Sequence, residues 1–131
     1  MSQLSKSLKN SRFVVRPENI VNDQDFHAGK PDPEPYATAF DVMARRVDGL
    51  QRLQCVAIED SLPGLESAAA AGLPVVAVPH VRPLPADPRW EHWTSLAGRL
   101  PADLGRAARR LAGGSCGRLQ SVPGGRHGNA P

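Results

Sequence analysis

Two apolar runs on either side of a helix of small residues restrict this chain more than any other feature. "QCVAI" (54–58) is short and continuous, and it stops abruptly at Glu59-Asp60-Ser61. "LPVVAV" (73–78) repeats the pattern once "LPGLESAAAAG" (62–72) has intervened. Apolar runs without alternation are the mark of strands covered on both faces. The stretch between them predicts one short helix, running to about Ala71 and stopped by Gly72. Strand, helix and strand within Gln54–Pro79 predict a βαβ unit, with parallel strands and a right-handed crossover. A chain of 131 residues has room for one domain with a real core. The expected class is therefore α/β, a partial Rossmann-like parallel sheet with flanking helices.

The flanks are less constrained. "RFVV" and "PENIV" read as short extended pieces, and "NDQDFHAG" as a polar turn. A helix is expected next, with Asp32 as N-cap and Pro33 and Pro35 confined to its first turn. Tyr36, Phe40, Met43, Ala44 and Val47 recur at helical spacing, and Gly49 reads as the left-handed stop. Prolines 79, 83, 85 and 88 predict an extended loop interrupted by "RWEHW". There Trp90, His92 and Trp93 read as packing against the sheet rather than as recognition. "PADLGRAARRLAG" (101–113) reads as a last helix with Leu104, Ala107, Ala108 and Leu111 on one side. The expected organisation is a disordered start at 1–12, a core at 13–111 and a disordered basic tail at 112–131.

Charge divides along the same lines. Residues 1–98 carry a net −2 and residues 99–131 a net +5, so the basic character belongs to the tail. No aromatic stacking residue lies among the tail arginines, which argues against nucleic acid as a partner. No run is long enough to cross a membrane, and "MSQLSKSLKNSR" lacks the apolar segment of a secretory signal. Cys55 in an apolar run and Cys116 in a Gly-rich stretch argue against a disulfide, so a reducing, cytoplasmic setting is expected.

The polar residues gather at two points. Glu59 and Asp60 stand where a parallel strand ends before a helix, the edge at which open α/β sheets bind ligands. Hard carboxylate oxygens of this kind suit Mg²⁺, which is held by one or two carboxylates, waters and a substrate phosphate. Ser61 reads as the cap of the following helix, whose free N–H groups point at the same place. Gly64 keeps the first turn slim for close approach. The second point is "HAGKPDPEPY" (27–36). Gly29 permits an unusual turn and Pro31 excludes Lys30 from helical geometry, so a stiff loop aims one ammonium. A fixed ammonium neutralises and orients a doubly negative phosphoryl group.

"GKPDPEPY", then a helix, then "VAIEDSLPGLESAAAAGLPVVAV" resembles the haloacid dehalogenase superfamily, nearest its β-phosphoglucomutase-like and phosphoglycolate-phosphatase-like branch. The resemblance covers about residues 13–111 and is strongest over 29–79. It implies a Mg²⁺-dependent phosphohydrolase acting on a small phosphorylated metabolite. By position, Lys30 would contact the phosphoryl group and the nucleophilic carboxylate. Asp60, and less securely Glu59, would bind Mg²⁺, with Ser61 and Gly64 at the phosphate-facing helix N-terminus. The family's nucleophile and general acid/base come from an Asp-x-Asp-Gly motif on its first strand, and a Ser or Thr on its second strand also grips the phosphate. All precede the lysine by many residues, with a cap domain between. The resemblance is thus to a C-terminal part, lacking the first two strands and the cap. In the family's strand order 5-4-1-2-3 it would supply strands 5 and 4 and a piece for strand 3.

Asp23-Gln24-Asp25 imitates the nucleophile motif but lacks its buried lead-in strand and its Gly-Thr continuation, so both aspartates read as turn formers. His27 reads as a loop histidine, and His80 follows the last apolar run toward the same edge. Three functions stay open on these residues. They are a phosphohydrolase inactive without its nucleophile, a phosphomutase of the same family, and a non-catalytic binding protein.

Overall fold

The computed structural model describes residues 17–116. Three short strands, β1 (Ala57–Glu59), β2 (Val75–Ala77) and β3 (Trp90–His92), form one sheet in the order β1-β2-β3. Both pairings are parallel, with Ala57 opposite Val75 and Val75 opposite Trp90. Three helices flank them: α1 (Glu34–Ala44), α2 (Leu62–Ala70) and α3 (Pro101–Cys116).

The two-residue period of the strands sorts the core into two layers. Ala57, Val75, Ala77 and Trp90 face Leu65 and Ala68 of α2, with Tyr36 and Phe40 of α1 packed beside them. Val76 faces the other way, toward Trp93 and Ala107, with Val56, Val78 and Leu104 at the margin. At β2 both faces of the sheet are covered, which is why that strand carries no polar alternation. Val75 and Val76 have no exposed surface, and each contributes about 1.5–3 kcal/mol by burial.

The βαβ prediction holds in its elements. Helix α2 begins at Ser61, whose Oγ accepts the Gly64 N–H at 3.3 Å. It ends at Gly72, where φ is +78°. There the Gly72 N–H donates to Ala69 O and the Leu73 N–H to Ala68 O, a Schellman closure. Arg52 donates to Ala71 O at 2.6 Å and lies 4.8 Å from the Phe40 ring centre, joining the end of α2 to α1.

Several boundaries differ from expectation. Helix α1 starts at Glu34 with Pro33 as its cap residue, and the Asp32 carboxylate instead accepts the Glu34 N–H at 2.8 Å. The helix ends at Ala44, not near Gly49, and gives way to turns that carry Gly49 at φ +72°. Met43 and Val47, expected on its buried face, are 41% and 51% exposed. The apolar period outruns the core it was meant to cover, and without tertiary packing a helix end has little to hold it. Pro17–Asn19 forms a single 3₁₀ turn rather than an extended piece. The "RFVV" stretch, the start at 1–12 and the tail beyond Cys116 lie outside the described residues, whereas α3 runs past the expected boundary at Leu111.

Strand β3 lies within "RWEHW", the stretch that interrupts the proline-rich loop and is expected to pack against the sheet rather than to join it. Its three residues show no apolar run; it exists because its neighbours supply partners. The Trp93 N–H donates to Ala77 O at 2.9 Å, and the Trp90 indole donates to Pro85 O at 3.0 Å. Both tryptophans are buried, consistent with packing. Glu91 between them accepts from the Trp93 indole and, at 2.6 Å, from Arg110 of α3. The third strand thus comes from downstream of β2, and β1 is an edge strand whose outer side meets no strand among the described residues. Among those residues, no helix is long and apolar enough to cross a membrane.

Candidate functional site

The loop that carries Lys30 is held at three places. The Glu34 carboxylate reaches back to accept the N–H groups of His27 and Ala28, at 2.9 and 2.7 Å. Those two bonds, more than any other cause, draw its carboxyl below the ordinary range. Ser67, wholly buried in α2, donates its hydroxyl to Asp32 O at 2.5 Å. Between these ties the Lys30–Pro31 peptide is cis.

So held, the loop sends the Lys30 ammonium to the Glu59 carboxylate at the C-terminal end of β1, where the two form an ion pair. The partners lie 29 positions apart in sequence. Glu59 is only 7% exposed, a depth at which a charge persists only when paired and hydrogen-bonded. The pairing is extensive. Tyr36 from α1 donates its hydroxyl to the same Oε1, and Ser61 lies 3.4 Å from Oε2. The Lys30 nitrogen also sits 5.4 Å from the Tyr36 ring centre, within reach of a cation–π contact. Burial raises the Tyr36 phenol far above its usual value; the Glu59 hydrogen bond and the charges of Glu59 and Asp60 add to the shift.

Gly64 lies in the first turn of α2 against the Glu59 carboxylate. Asp60, next in sequence, is exposed and makes no ion pair among the described residues. Asp60 borders a cavity of about 500 Å³, walled by the first turn of α2 and by Val81–Pro85.

Lys30, Glu59, Ser61 and Gly64 are therefore brought together, with Asp60 beside them. Glu59 Oε1 is taken up by Lys30 and Tyr36, whereas Oε2 has only the 3.4 Å contact with Ser61. Asp60 fits a ligand role in kind, as a free hard-oxygen donor beside a helix N-terminus. No group of three or more His, Cys, Asp or Glu that could hold a metal occurs among the described residues.

The other polar candidates stay outside this cluster. His27 and His80 are exposed, and His92 ends β3 with its side chain exposed. Asp25 is a turn former, its Oδ2 accepting the Asn22 N–H at 2.8 Å. Asn22, rather than Asp23, makes the companion bond, to the Gln24 N–H at 2.9 Å. Tyr36, Glu34 and Ser67 are the site residues that the sequence concealed. Tyr36 was assigned to an apolar face, and Ser67 sat within a small-residue run.

No family model matches the chain, and no solved structure matches it. Over 56 residues it is 43% identical to the uncharacterized protein C4C5.01 of Schizosaccharomyces pombe. That stretch is 39% of this chain and 22% of the relative, so the chain spans about a fifth of the relative's length.

Proposed function

We propose that this chain carries the lysine-and-carboxylate half of a Mg²⁺-dependent phosphohydrolase site of the haloacid dehalogenase type, for a small phosphate monoester in the cytoplasm. One observation carries the reading. Two motifs that are separate in sequence meet as Lys30 and Glu59 at the C-terminal end of a parallel strand, where ligands of open α/β sheets bind.

In this reading Lys30 neutralises and orients the phosphoryl group. Its side chain is 41% exposed despite the ion pair, so it retains donors for a ligand. Asp60 would hold Mg²⁺ together with waters and a phosphate oxygen. The bound cation would supply charge neutralisation at the phosphate. Ser61 caps the N-terminus of α2 beside Asp60, and Gly64 allows Glu59 to lie against the helix. Covalent transfer needs an acceptor carboxylate. The open edge of β1 is where a strand bearing one would have to lie. The same half-site would serve a phosphomutase.

The test is a titration of the full chain with inorganic phosphate, with and without Mg²⁺, followed by ³¹P line broadening. Mg²⁺-dependent binding that weakens at least about tenfold in both Lys30→Ala and Asp60→Asn is expected, since each removes about 1.4 kcal/mol or more of charge interaction. Binding indifferent to both substitutions would refute the reading.

A further inference from the structure

We infer that Tyr36 is a positioning residue, whose hydroxyl fixes the Lys30 ammonium by holding the Glu59 oxygen that the two share. The functional meaning of this rests on the reading of the site above; the geometry does not. Glu59 Oε1 accepts from both Tyr36 and Lys30, and the ring of Tyr36 lies beneath the same ammonium. One side chain therefore constrains Lys30 twice, through the carboxylate and through its aromatic face.

The arrangement has a physical requirement. An oxygen held by a lysine alone can follow that lysine as it changes rotamer, because a four-carbon stem is flexible. A phenol on a helix has only two torsions, and Tyr36 is anchored in α1 against the core. Its hydroxyl thus locks the carboxylate from a rigid element, and the carboxylate in turn locks the ammonium. Sharing one oxygen between two donors also leaves Lys30 less completely neutralised, with capacity for an anionic ligand.

The experiment uses the full chain labelled with ¹⁵N at lysine Nζ. Lys6, Lys9 and Lys30 are its lysines, so Lys30→Arg assigns the signal of interest by removing it. In the wild-type chain the Lys30 signal should exchange slowly with water. In Tyr36→Phe, which keeps the ring and loses the hydroxyl, exchange should quicken at least about fivefold while the tryptophan indole signals stay in place. An unchanged Lys30 signal in a folded Tyr36→Phe chain would overturn the inference. Should that variant not fold, 3-fluorotyrosine at the single tyrosine replaces it. Its ¹⁹F resonance should move in both Lys30→Arg and Glu59→Gln, and a resonance indifferent to both would equally overturn it. Inorganic phosphate added to the wild-type sample separates the two claims. Phosphate that leaves the Lys30 signal untouched counts against the phosphohydrolase reading, and the exchange measurement still decides the role of Tyr36.

Discussion

Gly64 has no side chain at the place where the Glu59 carboxylate lies; a Cβ there would collide with Oε2 and Cδ of Glu59. The absence of one methyl group lets a buried carboxylate lie against the helix and reach Lys30. In Gly64→Ala the helix itself would gain about 1 kcal/mol from propensity. Overpacking costs about 1–3 kcal/mol, and Glu59 can escape only by leaving Lys30 and Tyr36. We expect a net loss of about 0–2 kcal/mol in a urea melt, together with loss of the slowly exchanging Lys30 signal. Full stability with that signal intact would contradict the packing described.

Ser67 connects the same site from below. Its buried hydroxyl is the tie between α2 and the Asp32 carbonyl. Ser67→Ala leaves that carbonyl without its donor, at a cost of about 1–3 kcal/mol. Asp32 itself is exposed, so water can replace part of the bond and the lower end is expected. The loop should show the loss more than the fold does, as faster amide exchange at His27 and Ala28.

Tyr36 makes the site sensitive to alkali. Its folded-state phenol is raised, first by burial and then by Glu59. Stability from the neutral phenol is therefore fully present below the unfolded value, about 10, and is lost as pH rises above it. The phenolate absorbance of this single tyrosine should not appear around pH 10 while the chain stays folded, and should appear together with unfolding. Glu59→Gln removes the second and third causes but leaves burial, so its phenolate step should fall between the wild-type and free-tyrosine positions. A wild-type step at the free-tyrosine position would mean that the phenol is open to water.

Asp60 and Ser61 separate binding from capping. Asp60→Asn should leave the melting temperature unchanged, since the side chain is exposed and makes no ion pair among the described residues. Ser61→Ala removes the bond to the Gly64 N–H and should cost about 0.5–2 kcal/mol. A destabilised Asp60→Asn would assign Asp60 to the fold rather than to a ligand.

The chain should hydrolyse no p-nitrophenyl phosphate in Mg²⁺. Asp25 is engaged in its local turn, and Glu59 is held by Lys30 and Tyr36, so neither is free to attack. Activity abolished by both Asp23→Asn and Asp60→Asn would make Asp23 a nucleophile and reverse this view.

The βαβ unit was legible in residues 54–78 because its signals are local. A continuous apolar run, a Ser cap, a small-residue helix and a glycine stop each act within a few positions, and the structure places all of them close to where the sequence implied. The stiff aim of Lys30 was legible for the same reason. What Lys30 meets was not. Its ion pair with Glu59 spans 29 positions, and Tyr36 joins it only because α1 packs beside α2 on the same face of the sheet. Strand β3 was equally hidden, since "WEH" has no strand pattern of its own and pairs only because Ala77 offers a carbonyl and α3 offers Arg110 to Glu91. By itself the sequence determined which segments become helices or the strands β1 and β2, through backbone preference and burial that neighbouring residues impose on one another. The tertiary structure alone decided which charges share an oxygen and which segment completes the sheet. Those choices depend on distances between elements, which no spacing along the chain encodes.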